Sequence, residues 1–352
     1  MSAFDYIVVG QGIAGSLLSW FLLQAGKTVL VIDAYDANSS SRIAGGLVNP
    51  ITGRKFVKTW LADELLPFAT STYKSIEEQL GDSFYRSIPI VHVFDSIKQQ
   101  NDWSVRCATA EYKAYLSNET ILRFDSSKVN NELGAFEIGG AHKLDTIKFL
   151  NLYRSYLNDK GALLGEQLDY AALQVGEQVQ YKEYTARKII FCEGIAGKDN
   201  PYFNTLPFTP AKGECLHIVI ENFYNDKVLK DEVAIMPIEG NNYYIGATHE
   251  QHFTTTEITD KGKVELEEKL RCILNSPYQI TAHQAAVRPA TKHRRPFVGM
   301  HPAHANMGIF NGMGTKGCSL APYFAEQMTG HILHQTPIET EANINRFNNL
   351  VP

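Results

Sequence analysis

Gly10, Gly12 and Gly15 stand in the spacing G-x-G-x-x-G, and Asp33 follows Gly15 by 18 residues. A glycine at the first position permits a tight turn, at the second lets backbone come up to a pyrophosphate, and at the third lets a helix pack closely on a strand. Ile13 and Ala14, between the second and third glycines, would begin that helix, whose free amides attract phosphate charge. An acid at the end of the next strand, Asp33 followed by Ala34, would accept hydrogen bonds from an adenosine ribose and repel a 2′-phosphate, which points to FAD or NAD and away from NADP. A glycine triplet alone is a weak sign, because an ordinary strand-to-helix turn also produces one. The strand, helix and acid around it give it weight.

Other kinds of chemistry leave little trace. The eleven histidines are scattered, and the closest groupings, His249 with His252 and His301 with His304, lack the helical setting and third ligand of a metal site. The expectation is no metal. The five cysteines, Cys107, Cys192, Cys215, Cys272 and Cys318, are odd in number, far apart and without a C-x-x-C pair, so neither a disulfide framework nor a cysteine zinc site is expected.

The elements that must position the glycine loop are legible from periodicity. Asp5 to Val9 reads as a buried parallel strand ended by Gly10; Ile13, Leu17, Leu18, Phe21, Leu22 and Ala25 give one apolar helix stripe stopped at Gly26; and Thr28 to Ile32 reads as the second strand. The handedness of such crossovers makes the two strands parallel neighbours. Further along, Asp63 to Leu80 is helical, Ile88 to Phe94 a strand, and the stretch from Tyr85 to about Gly140 is made of short strand-like pieces and turns. Leu144 to Leu157 returns to helical spacing, Lys188 to Cys192 is an apolar strand ending at Gly194, and Thr209 to Gly246 reads as antiparallel strands. Helices are expected over Val264 to Leu274 and Ser319 to Leu333, and the polar residues after Pro337 as a surface segment. The texture switches between two kinds of architecture and back.

At 352 residues, with 44% hydrophobic and 20% charged side chains, the chain has material for two domains of about 150 residues each. The net charge of −5 gives no general grip on nucleic acid. No apolar stretch approaches the roughly 18 residues of a membrane-spanning helix, and no secretory signal opens the sequence, so a cytoplasmic location is expected.

Three more segments narrow the cofactor: SSRIAGGLVNP (40–50), KIIFCEGIAG (188–197), and RPATKHRRPFVGMHP (288–302) with GIFNGMGTKGCSLAP (308–322). With them the chain resembles, from first strand to last helix, the D-amino acid oxidase, glycine oxidase and sarcosine oxidase family of FAD-dependent oxidoreductases. GTKGCSLAPYFAE is also similar to the oxidoreductase half of the bifunctional enzyme that modifies wobble uridine in tRNA. The resemblance implies an α/β fold: a Rossmann-type FAD-binding domain over 1–84, 142–206 and 285–352, and an α+β substrate domain on an antiparallel sheet over 85–141 and 207–284. It implies that Ser41, Arg42, Ala44, Gly45 and Gly46 pass close to the flavin, that Cys192 and Gly194 lie at the cofactor, and that Gly312, Gly314, Thr315, Lys316 and Gly317 bring amides and one cation to the flavin pyrimidine edge. Arg288 matches the family's arginine that grips a substrate carboxylate, and a guanidinium fork suits that role. Tyr243 and Tyr244 match a substrate-facing strand; alternation lets only one face the flavin, and Tyr244 is favoured.

Two departures stand out. Where sarcosine oxidases tether flavin through a cysteine, this chain has Ala285, Ala286 and Val287, so FAD is expected to be non-covalent. Where an acid commonly follows R-P-x-T, it has His293, Arg294 and Arg295. The leading expectation is oxidation of the CH–NH bond of a small amino acid or secondary amine, with oxygen or another acceptor taking the electrons. Two alternatives remain: oxidative removal of a carboxymethyl group from a modified tRNA uridine, and a flavin-binding module without turnover.

Overall fold

Strand β1 spans Ser2–Val9, three residues longer than its apolar core, because its polar start pairs with residues 184–186 and Asp5 accepts from the Thr28 amide (2.9 Å). The structure, a computed structural model, describes residues 2–116, 124–223 and 226–347. Helix α1 (Ile13–Gln24) buries Ile13, Leu17, Leu18 and Leu22, and β2 (Val29–Ile32) returns parallel to β1. Next in the chain come α2 (Ala62–Leu80), β3 (Ile90–Val93), α3 (Ile97–Cys107), β4 (Ala135–Ile138) and α4 (Thr146–Asp159), the last capped by Asp145, whose carboxylate accepts from the Lys148 amide (3.0 Å). They are followed by β5 (Tyr184–Phe191), β6 (Ala211–Val219), β7 (Val228–Lys230), β8 (Ala234–Pro237), β9 (Asn242–Gly246), α5 (Asp260–Arg271), β10 (Gln279–Arg288), β11 (Met307–Asn311) and α6 (Gly317–His334).

Two large sheets result. In the first, β2, β1, β5 and β11 run parallel, and the antiparallel strands 173–175 and 179–181 extend it beyond β5. Apolar residues of α1, α2, α4 and α6 cover one side, and Phe203, Leu206, Ile344 and Phe347 the other. Register brings the carboxyl ends level: Val9 lies opposite both Ile32 and Phe191, and Phe191 opposite Ile309. Ligands of open parallel sheets bind outside this edge. The second sheet has the order β10-β6-β9-β8-β7-β3-β4 and is antiparallel except between β7 and β3. Its period-two alternation sends Cys215, Met236, Tyr244 and Ala286 to one face and Leu216, Ile235, Tyr243 and Ile245 to the other, where α5 covers them with Leu266 and Leu270.

Three features differ from the sequence expectation. Helix α3 lies where only short strands and turns were expected; it buries just Gln99, Trp103 and Cys107, too thin a stripe to read as periodic, and starts at a Ser96 cap. The segment after Pro337 is not a surface tail: Ile338, Ala342, Ile344 and Phe347 are buried, and the Val298 amide donates to the Ala342 carbonyl (3.1 Å). Strand β10 runs on to Arg288, across the expected domain boundary at 284/285. Among the described residues no helix is long and apolar enough to cross a membrane.

Candidate active site

The glycine loop forms a cradle at the carboxyl edge of the first sheet. Gly10 has φ +97°, and a Cβ on Gly15 would stand 1.8 Å from the Gly10 carbonyl oxygen, so loop and helix approach as only glycine allows. Helix α1 begins after Gly12 with no side-chain cap and no acid in its first turn. Ile13 and Ala14 supply its first amides; that of Ile13 donates to Ser41 Oγ (3.1 Å), which ties residues 40–46 to the helix start. Cys192 packs under the same loop: a Cβ on Gly10 would lie 2.5 Å from its carbonyl oxygen, and Gly194 follows it.

Asp33 stands at the end of β2 with Ala34 after it, and both its oxygens are engaged. Oδ2 accepts from the Gln11 amide (2.8 Å), and Oδ1 accepts from the Tyr35 amide (2.8 Å) and Arg154 (2.7 Å). Arg154 also donates to the Gln11 side chain (3.2 Å) and the Asp33 carbonyl (3.1 Å). The Tyr35 ring lies under two guanidiniums, Arg42 at 4.2 Å and Arg154 at 5.3 Å. Arg42, which donates to Asn151 (2.7 Å), thus turns its side chain to the Asp33 end of the groove, while the backbone from Ala44 to Gly46 continues toward the second sheet. Arg154 escaped the sequence reading because it lies on α4, 121 residues from Asp33, with no local motif around it.

The loop before α6 leads into another helix start without a side-chain cap or an acid in its first turn, with Lys316 preceding Gly317. Gly312 follows Asn311, whose side chain accepts from the Gly312 amide (2.7 Å) and donates to the Gly194 carbonyl (2.8 Å). Thr315 is exposed, and Lys316 reaches back to Thr59 Oγ1 (2.9 Å). Burial brings Lys316 down to about 8, with Arg295 and Arg294 adding repulsion. The Gly314 amide donates to the Pro289 carbonyl (3.2 Å), which joins this loop to the residue after Arg288.

The second sheet turns one face to these loops. The Arg288 guanidinium folds over Gly213, where a Cβ would lie 2.1 Å from one of its nitrogens, and donates to the Thr248 carbonyl (3.2 Å). Among the described residues it has no carboxylate within ion-pair distance. Burial lowers its affinity for the proton, and nearby Tyr244 and Cys215 offset part of this. The Tyr244 hydroxyl lies beside the Cys215 thiol, and its ring packs where a side chain on Gly45 would stand. Burial raises both groups, Cys215 to about 11. Tyr243 points the opposite way and donates to the Phe223 carbonyl beneath α5. His217 and Gln284, which the sequence reading did not single out, share the face with Arg288 and Tyr244. Among the described residues no group of three or more His, Cys, Asp or Glu is placed to hold a metal.

The model of the FAD-dependent oxidoreductase family known as DAO matches residues 5–330. The chain belongs to this family. Glycine oxidase of Bacillus subtilis (strain 168) is 22% identical over 367 residues, which cover 97% of this chain and 94% of that enzyme. Among solved structures, glycine oxidase from Geobacillus kaustophilus superposes with a TM-score of 0.80 at 16% identity, covering 99% of this chain and 98% of that one. Iminodiacetate oxidase from Chelativorans sp. BNC1 gives a TM-score of 0.78 at 18% identity, covering 97% and 98%. The oxidoreductase is therefore FAD-dependent, and its residues fit that cofactor. The close-packed turn at Gly10, Gly12 and Gly15 leads into a helix start without a side-chain cap, where a pyrophosphate would lie; Asp33 ends β2, where an adenosine ribose would lie; and another helix start without a side-chain cap, with Lys316 before it, lies toward the Arg288 face.

Proposed function

We propose that this FAD-dependent oxidoreductase oxidises the CH–NH bond of a small amino acid or secondary amine, with FAD held non-covalently. The observation that carries this reading is Arg288: a half-buried guanidinium without a carboxylate partner among the described residues, on a sheet face that looks toward the 44–46 and 312–317 loops. A desolvated cation in that position is completed by an acid brought by the ligand. When bound, FAD supplies the acceptor for the hydride leaving the substrate carbon. Arg288 holds the substrate carboxylate by its fork and so fixes the neighbouring carbon. Tyr244, beside Cys215 and pressed against Gly45, walls the pocket and keeps water from that carbon. Lys316 and the amides at the start of α6 place positive charge at the cofactor side. The imine product takes up water and splits into a carbonyl compound and an amine.

Anaerobic mixing of the flavin-loaded protein with glycine, N-methylglycine and D- and L-amino acids is expected to bleach the flavin absorbance with at least one of them. Bleaching only by tRNA carrying a carboxymethylaminomethyl uridine would replace this reading with removal of that carboxymethyl group. Bleaching by neither, with FAD firmly bound, would leave a flavin-binding module without turnover.

A further inference from the structure

The face that carries Arg288 holds two more basic groups than one carboxylate requires. Lys143, on the short strand His142–Leu144, extends its ammonium to the Pro237 carbonyl (2.6 Å) at the end of β8. Pro237 is in register with Tyr243, and Tyr243 with Ile218, so the ammonium enters beside the row formed by Met236, Tyr244 and His217. His217 is half-buried, stands edge-on to Tyr244 with ring centroids 5.7 Å apart, and lies beside the Gln284 side chain. Burial lowers its proton affinity and the Lys143 charge lowers it further, which places the two groups within each other's field. Burial also brings Lys143 down to about 8, with Arg86 adding repulsion and Asp145 offsetting part of it. Neither Lys143 nor His217 has a carboxylate within ion-pair distance among the described residues. The one acid of β6, Glu214, points to the opposite face and is consumed there by Lys212 and His283.

The geometry points to a second anion subsite, in which Lys143 and His217, the latter packed beside Tyr244, take a second acidic group of the same substrate whose first carboxylate Arg288 holds. This rests on the amine-oxidation reading above and names the substrate class within it. Along β6 the Arg288 fork sits at Gly213 and the imidazole at His217, four residues on, which is about 13 Å of backbone. Hydrogen-bonded contacts of roughly 3 Å at each end leave on the order of 6–9 Å between the two anions. A glutamate-sized or longer amino diacid, or an amino acid bearing a carboxyalkyl group on nitrogen, spans that gap. Glycine fills only the Arg288 end. The second group can be a carboxylate or a phosphate, since an ammonium and an imidazole serve both.

The test is binding of non-oxidisable acids to the flavin-loaded enzyme, read by perturbation of its visible absorption. Glutarate is expected to bind at least tenfold more tightly than butyrate, which lacks the second acid. Lys143→Met should raise the glutarate Kd 10- to 100-fold with little effect on butyrate, and Lys143→Arg should restore most of the loss. His217→Asn provides the same comparison if Lys143→Met fails to retain FAD. Preference for 3-phosphonopropionate over glutarate would support the subsite and assign it to a phosphate. Equal affinities for glutarate and butyrate, or equal loss of both in the variants, would overturn it. The two readings fail separately: amines that bleach the flavin without diacid preference remove only the second subsite, while selective glutarate binding with no bleaching by any amine removes only the oxidation reading.

Discussion

The two faces of the second sheet treat charge in opposite ways. Under α5, Lys212 and Glu214 are almost fully buried, at 1% and 2% side-chain exposure, yet every charge there has an answer: Glu214 meets Lys212 (2.9 Å) and His283 (2.7 Å) and accepts from the amide and hydroxyl of Thr259, the cap of α5. On the other face Arg288, His217 and Lys143 are half-buried, and Arg288 and Lys143 donate to carbonyls where the first face has carboxylates. Neighbouring residues of one strand, Gly213 and Glu214, serve these two regimes. A buried charge matched internally costs stability when its partner is removed, whereas half-buried cations without anions are, on the proposed reading, a surface that a ligand's acids complete.

That contrast predicts different losses on the two faces. The largest is expected from Glu214→Ala, which strands Lys212 and removes the anchor of α5; denaturant unfolding should show a loss of about 3–5 kcal/mol. Burial pushes the Glu214 carboxyl up, but Lys212 and Thr259 outweigh it and hold it below the usual range. Its contribution is therefore present above the ordinary carboxylate pKa and lost as pH falls through the lowered folded value, so Glu214→Gln should flatten the acid limb of the stability profile. Arg288→Ala should leave stability nearly unchanged and weaken substrate or carboxylate-ligand binding roughly 10- to 100-fold by titration of the flavin spectrum. Unchanged affinity would remove the distinction between the faces.

At the cofactor end, Arg154→Ala should weaken FAD retention by about tenfold, the scale of one charged hydrogen bond, as read by FAD release on dilution. A pH-dependent effect concerns Lys143. Its folded value lies below the ordinary lysine pKa, so the charged form is penalised in the fold. That penalty is full below about pH 8 and fades as pH rises toward 10.5, and wild-type stability should therefore gain on Lys143→Met across that interval. A constant difference between the two proteins would argue against a desolvated ammonium.

The glycine loop, α1, β2 and Asp33 were readable because each rests on local spacing, and a turn that only glycine tolerates leaves a mark in one short segment. Arg288 and Tyr244 became visible by resemblance, and alternation then separated Tyr244 from Tyr243. Arg154, Lys143 and His217 carry no such mark. They meet their partners across strands or from a distant helix, and nothing in LYRS, AHKL or CLHI distinguishes an arginine, lysine or histidine facing a pocket from one facing water. Ile344 and Phe347 were missed for a related reason: a few apolar residues at uneven spacing pack as well as a periodic stripe once a strand is there to receive them.

The hydrogen bond from Gly314 to Pro289 fastens the segment bearing Arg288 to the glycine-rich loop before α6. An insertion in either would drag the other, so on the proposed reading the reaction geometry and the first recognition point would be inherited together. Diversification toward new substrates is left to the free end of the pocket, at the strands that carry Lys143, His217 and Gln284, where a side chain can change without shifting the distance over which a hydride must travel.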